Sequence, residues 1–265
     1  VRDYRQIGIG IMGIADMLIK LELKYGSDEA VALCDKIGFV LADTSMRESA
    51  LLAKELGAYP KCKKELVLES EFVKNNATEE TKELIKEYGL RNSQLLTIAP
   101  CGSLSTMLGI SGGIEPIFAN SYTRKTESLH GEDVYYKVYT PIVDEYMKKN
   151  GVDREEDLPD FFVTSATLNP HERVLMQGIW QDHIDASISS TVNLPNGATV
   201  EDVYEIYTDA WKRGLKGITI YRSGCKREGV LTTSETKQED TTELKRGEYE
   251  KTPDSIIEIK RKLKS

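Results

Sequence analysis

Apolar positions recur at helical spacing over the first third of the chain. Ile14, Met17, Leu18 and Leu21 mark one helix, stopped at Gly26. Asp28-Glu29 opens a second run carrying Val31, Leu33, Cys34, Ile37, Val40 and Leu41, then Leu51, Leu52 and Leu56, before Gly57 and Pro60 close it. Thr78 followed by Glu79-Glu80 reads as a capped helix start, with Gly89 as terminator. The pattern then changes. Leu95-Leu96-Thr97-Ile98 predicts a short strand, Pro100 to Gly113 a loop of glycine and serine, and Tyr135 to Lys149 a helix. A further helix is expected from His171 to about His183, with Val174, Met176 and Trp180 facing a core. Ile188 to Leu194 reads as a strand ending at Pro195. Thr199 caps a helix with the apolar stripe Val200, Val203, Tyr204, Tyr207 and Trp211, stopped by Gly214, and Gly217 to Tyr221 follows as a buried strand. Strand, helix, strand in this order points to a βαβ unit and a parallel sheet.

From Thr232 the chain turns polar and nearly loses its apolar residues, which predicts a linker over 232–244. Residues 245–265 read as the start of a C-terminal segment, with a short strand at Ile256-Ile257-Glu258-Ile259-Lys260 and a basic end. Composition narrows the function. In 265 residues, 35 Lys and Arg against 43 Asp and Glu give a net charge of −8, which argues against a nucleic-acid coat or a polybasic membrane binder. No apolar run reaches a membrane span and no signal peptide is evident, and the four widely spaced cysteines suit a reducing cytoplasm better than a disulfide scaffold. Cys34, Cys62, Cys101 and Cys225 are far apart, and neither they nor His130, His171 and His183 have metal-ligand spacing; no metal site is expected. The chain begins at Val1 within what reads as structure, as a piece of a longer polypeptide would.

Two glycine-bearing motifs bear on ligand binding. Gly8-Ile9-Gly10-Ile11-Met12-Gly13 matches the dinucleotide fingerprint GxGxxG, but Arg2, Asp3, Arg5 and Gln6 make a poor buried strand before it, and no acidic residue closes a second strand about 20 positions on. The competing reading is that small residues let this helix pack closely on a neighbour. The second motif is Ala99-Pro100-Cys101-Gly102-Ser103-Leu104-Ser105-Thr106. A strand ending in Pro and opening into a Gly/Ser turn leaves successive backbone N–H groups unpaired, and with the Ser103 and Ser105 hydroxyls these can accept phosphate oxygens. An ordinary polar loop fits the local chemistry equally well. Without a Walker lysine it is not a nucleotide-hydrolysing loop. Gly112-Gly113-Ile114-Glu115-Pro116 would be its return, with Glu115 forced toward an extended conformation by Pro116 and its carboxylate aimed across the opening.

Arg91-Asn92-Ser93-Gln94-Leu95-Leu96-Thr97-Ile98-Ala99-Pro100, then Gly102 to Ser105 and Gly112 to Pro116, resemble the substrate-phosphate region of the large catalytic chain of ribonucleotide reductases. Gly8 to Leu18 resembles the family's helix after its active-site loop. Trp180 to Asn193 and Gly214 to Arg222 resemble later barrel strands, especially of the adenosylcobalamin-dependent class. The resemblance covers about 1–231. It implies an α/β fold, the C-terminal half of a ten-stranded barrel with a parallel half-sheet flanked by helices, and ribonucleotide reduction by thiyl-radical chemistry. It also implies substrate contacts at Ala99, Pro100, Cys101, Gly102, Ser103, Leu104, Ser105 and Glu115. The family's Asn-x-Cys-x-Glu finger loop does not occur here, so catalytic residues are expected upstream and none in this chain.

The resemblance further implies adenosylcobalamin as cofactor. The strand that carries two adjacent tyrosines in the diiron-dependent class reads Ile220-Tyr221 here, so that relay is incomplete. Implied partners are a ribonucleoside di- or triphosphate, the N-terminal half of the same enzyme, a thioredoxin- or glutaredoxin-type reductant, and a second copy in a homodimer. A large-subunit fragment of a diiron-dependent reductase and a non-catalytic nucleotide-binding module are the alternatives. Two departures stand out: Cys101 occupies a position usually held by Thr, and no cysteine-bearing tail follows Lys260 to Ser265.

Overall fold

The computed structural model describes residues 1–127 and 133–224. The predicted linker, the C-terminal strand and Cys225 lie outside these residues.

The first helix, α1 (Ile14–Lys20), starts only at Ile14, so the Gly8–Gly13 segment leads into it rather than forming its first turns. The second, α2 (Asp28–Leu56), is 29 residues long and is capped by the Ser27 hydroxyl, which accepts from the Ala30 N–H at 3.2 Å. Its buried face is a stripe of mostly small residues: Ala30, Cys34, Gly38, Ala42, Met46, Ser49, Ala50 and Ala53. Val40, Leu52 and Leu56, which the sequence pattern assigned to the apolar run, are exposed. Small residues win the inner face because it lies close against its neighbours. A Cβ on Gly38 would stand 2.4 Å from the ring of His183. Two short helices that the pattern did not reveal, α3 (Lys64–Glu69) and α4 (Glu71–Asn76), lead to α5 (Glu79–Tyr88), where Thr78 caps the Thr81 N–H as its sequence predicts.

The predicted loop at Pro100 to Gly113 contains a helix, α6 (Gly102–Leu108). A hairpin of β1 (Ser121–Glu127) and β2 (Asp133–Tyr139) follows, antiparallel with Ser121 opposite Tyr139. The predicted helix from Tyr135 is therefore strand as far as Tyr139, and helix only in α7 (Pro141–Asn150). Proline at the first helical position sets that boundary: its missing N–H costs nothing there, while the residue before it is held extended. Next, α8 (Pro170–His183) buries Val174, Met176 and Trp180 as expected. β3 (Thr191–Leu194), α9 (Val200–Lys212) and β4 (Thr219–Arg222) complete a βαβ unit, with β3 and β4 parallel and Asn193 opposite Tyr221.

Parallel bridges extend this pair sideways. Ile98 bridges Ile188, and Leu96 bridges Ile9. The order across the layer is thus 7–9, 94–98, 186–194, 219–222, with all neighbours parallel. The layer is not closed among the described residues, so a parallel layer backed by helices is what the structure carries and a ten-stranded barrel is not seen. β4 is half-exposed rather than buried, because no strand pairs its outer side among the described residues. α9 turns its other face inward: Ile206 and Ala210 are buried against β3. Val200, Tyr204, Tyr207 and Trp211 point to solvent. Among the described residues no helix is long and apolar enough to cross a membrane, and no cluster of His, Cys, Asp or Glu could hold a metal.

Candidate functional site

The strand at 94–98 is anchored at its start by Asp185, whose two carboxylate oxygens accept the Leu95 and Leu96 N–H groups, each at 2.7 Å. Burial pushes the Asp185 carboxyl up, and those same N–H groups draw it back in part. The strand lies between the 7–9 segment and the 186–189 segment. Ile9 donates to the Leu95 carbonyl at 2.8 Å, and Ser189 to that of Ile98 at 2.7 Å.

Close approach explains the glycines of the GxGxxG motif. A Cβ on Gly8 would lie 2.5 Å from the Thr97 methyl, and one on Gly10 2.6 Å from the Thr97 carbonyl oxygen. Close packing thus accounts for Gly8 and Gly10, but of an extended segment beside a strand rather than of a helix, which starts only at Ile14. The motif nevertheless ends beside the candidate loop, since Gly13 donates to the Ser111 carbonyl at 2.9 Å.

Beyond Ile98 the chain emerges from the layer. Ala99 and Pro100 are exposed, Cys101 is the half-buried N-cap, and α6 begins. At a helix start the first N–H groups have no intrahelical acceptor. Here those belong to Gly102, Ser103 and Leu104, all exposed, and the Cys101 side chain caps none of them. The Ser105 N–H already closes the first turn on the Cys101 carbonyl at 2.8 Å. A helix start therefore supplies the unpaired N–H groups that the sequence placed in a loop.

Of the two serine hydroxyls, only that of Ser103 faces solvent. Ser105 is buried, and its hydroxyl donates to the Gly102 carbonyl at 2.9 Å, so it is held inside the turn rather than offered to a ligand.

The return segment packs onto this turn. A Cβ on Gly112 would meet Ser105 Oγ at 3.2 Å and Cys101 Sγ at 3.7 Å. Glu115 donates its N–H to the Gly112 carbonyl at 2.9 Å, closing a tight turn. Its carboxylate does reach across, but to protein: Oε1 accepts the Thr191 N–H at 3.0 Å and pairs with Arg173 Nη2 at 3.4 Å. Arg173 is almost fully buried, and its Nη1 donates to the Tyr25 hydroxyl at 2.7 Å and to the Ile114 carbonyl at 3.1 Å. Tyr25 in turn donates to the Ile114 carbonyl at 2.5 Å, and burial pushes its phenol up to about 12, against the pull of Arg173. Asp16 of α1 holds the other flank by accepting the Ser111 N–H at 2.7 Å.

The sequence reading brought together Ala99 to Ser105 and Glu115, and the structure places them within one loop and turn. It passed over Tyr25, Asp16, Arg173 and Thr191. Only Arg173 carried a signal, as a charge set among Val174, Met176 and Gln177 on the buried side of α8.

Residues 1–221 match the ribonucleotide reductase barrel domain. The chain belongs to the ribonucleotide reductase family. It is 35% identical over 92% of its length to a vitamin B12-dependent ribonucleoside-diphosphate reductase of Thermoplasma acidophilum, covering 32% of that protein. It is 32% identical over 89% of its length to one from Mycobacterium tuberculosis, covering 34%. A ribonucleoside-diphosphate reductase subunit alpha of Chlamydia trachomatis is 28% identical over 83% of the chain. Among solved structures, the class Id ribonucleotide reductase alpha subunit of Actinobacillus ureae shares the fold, with a TM-score of 0.63 at 21% identity, over 84% of this chain and 40% of that one. The chain thus spans about a third of the length of these vitamin B12-dependent relatives.

Those relatives' names raise the question of where a corrin would sit. One cleft among the described residues has a volume of about 350 Å³ and is lined in part by Tyr59, Lys63, Phe72, Asn92, Leu95 and Asp185. It opens at the start of the 94–98 strand, the opposite end from Pro100, and is no larger than a site for a small organic ligand. A second cavity holds about 10 Å³. The residues lining these two cavities do not fit a corrin macrocycle.

Proposed function

We propose that this chain is the substrate-phosphate half of the barrel of a ribonucleoside-diphosphate reductase, occupying residues 1–231, with a linker at 232–244 and a C-terminal segment from 245. The observation that carries the proposal is the start of α6: three unpaired, exposed N–H groups at Gly102, Ser103 and Leu104, presented where the central parallel strand ends. Aligned peptide dipoles place partial positive charge there, which suits a phosphate.

In this reading the N–H groups and the Ser103 hydroxyl grip the phosphates. Cys101 and the Gly112 turn shape the floor. Glu115 is restrained by Arg173 and Thr191, so its negative charge is kept off the ligand. The chemistry belongs to residues upstream. There a cysteine radical opens the reaction at the ribose, the 2′-hydroxyl leaves as water, and a dithiol pair supplies the two electrons and is oxidised to a disulfide. The relatives' names support a cobalamin cofactor and diphosphate substrates. Adenosylcobalamin as radical source, a thioredoxin- or glutaredoxin-type reductant, a homodimer and a cytoplasmic setting complete the proposal.

Equilibrium binding to this chain tests the phosphate grip. A ribonucleoside diphosphate should bind, inorganic pyrophosphate should compete, and the amide resonances of Gly102 to Leu104 should move most. A nucleoside without phosphates that binds as tightly as the diphosphate would overturn the assignment.

A further inference from the structure

We propose that Arg173 is a positioning residue for the start of α6, acting through the Ile114–Glu115 corner. The inference rests on the phosphate-site reading for its functional meaning, but the mechanical link stands on geometry alone. Arg173 lies on α8, a separate element, and is 3% exposed. Its guanidinium grips one backbone position and one side chain in succession: the Ile114 carbonyl at 3.1 Å and Glu115 Oε1 at 3.4 Å. Glu115 uses the same oxygen to accept the first N–H of β3, at Thr191. The corner is thereby tied to α8 and to β3 at once. From the corner the Glu115 N–H reaches back to the Gly112 carbonyl, and Gly112 lies directly against Cys101 Sγ and Ser105 Oγ. Arg173 is thus connected to the first turn of α6 through a single tight turn.

The planar fork is required. Three acceptors, the Tyr25 hydroxyl, the Ile114 carbonyl and Glu115, lie around one guanidinium, and a lysine ammonium is a single point charge that cannot meet all three in those directions. Losing the fork frees the corner, and the floor beneath the unpaired N–H groups shifts with it.

Cys101 reports this without any ligand. Its thiol is covered by Gly112, while Cys62 lies elsewhere, beside Gly89. The test measures site-resolved alkylation by iodoacetamide on the whole chain, comparing wild type with Arg173→Met, Arg173→Lys, Glu115→Gln and the Arg173→Met/Glu115→Gln pair.

The alkylation rate of Cys101 should rise several-fold in Arg173→Met and less in Arg173→Lys. The double variant should rise no further than Arg173→Met alone, and Cys62 should hold its rate throughout. Affinity for a ribonucleoside diphosphate should fall about tenfold in Arg173→Met, the loss of one charge-assisted hydrogen bond's worth of positioning. An unchanged Cys101 rate, or equal acceleration at Cys62, would overturn the proposal; the second result means general loosening. If Cys101 responds as expected but wild type binds no diphosphate, the link is upheld and the substrate-site reading fails.

Discussion

Cys101 is where one atom's chemistry bears most directly on the proposed phosphate grip. A threonine hydroxyl at an N-cap accepts from the third helical N–H and can donate to an anion, whereas a thiol does both poorly. Cys101→Thr should raise thermal stability by about 0.5–1 kcal/mol through the cap. It should also tighten diphosphate affinity measured by titration calorimetry. Unchanged affinity would mean that the N–H groups carry the contact and the side chain is no ligand. Tyr25 makes the contrasting case. Its hydroxyl receives from Arg173 and gives to Ile114, both inside the protein, so Tyr25→Phe leaves two buried groups short of a partner. Urea unfolding should show a loss of about 1–3 kcal/mol. Cys34 makes a third case: it is fully buried, and burial pushes its thiol up to about 11, away from the thiolate that reacts.

At the scale of elements, much was legible because caps and breakers are local. Ser27, Thr78 and Thr199 cap where the sequence places helix starts, and the Thr199–Asp202 capping box closes in both directions. What stayed hidden was decided by neighbours distant in sequence. Size misled in α2, where the buried face is set by how near α8 comes, so Gly38 lies inside and Val40 outside. Gly38→Ala would press a methyl into the His183 ring, and should cost about 1–3 kcal/mol in urea unfolding, or more if the ring cannot turn aside. In α9 the stripe reads as core, but of its members only Val203 packs toward β3, beside Ile206 and Ala210, while the aromatic residues are exposed. The helix in the Gly/Ser segment was missed because glycine and serine are weak helix formers, and tertiary contacts at Gly112 and Asp16 hold it.

The α8–α9 contact also has a pH signature. Burial alone would raise the Asp209 carboxyl, but hydrogen bonds from His171 and Arg213 hold it below the usual carboxylate range. A folded-state value below the unfolded one means that this contribution is present above pH about 4 and is lost as pH falls through the folded value. Wild type should therefore exceed Asp209→Asn in stability at pH 7, and the gap should narrow on acidification toward pH 3. A gap that stays constant would show that the ion pairs contribute nothing.

For the molecule as a whole, the charge of −8 means that, in the proposed reading, a polyanionic nucleotide would approach against the long-range field and be held by short-range dipoles. Added salt screens that repulsion, so diphosphate affinity should hold or rise with salt, where a lysine-lined site would lose it steeply.

The arrangement of the parallel layer has a consequence for how the chain acquires its structure during synthesis. Of the described strands, that at 7–9 precedes its neighbour at 94–98 by almost ninety residues, and 94–98 waits as long again for 186–189. Sheet pairing between such distant partners is slow. The helices α2 to α5, whose contacts are nearer in sequence, have time to assemble in between. Pulsed hydrogen exchange during refolding should thus protect amides in α2 and α5 before those of Ile9, Thr97 and Ser189. In the interval the 7–9 segment lacks the 94–98 partner that its backbone pairs with, and an unpaired strand edge of that kind is where a chaperone has most to do.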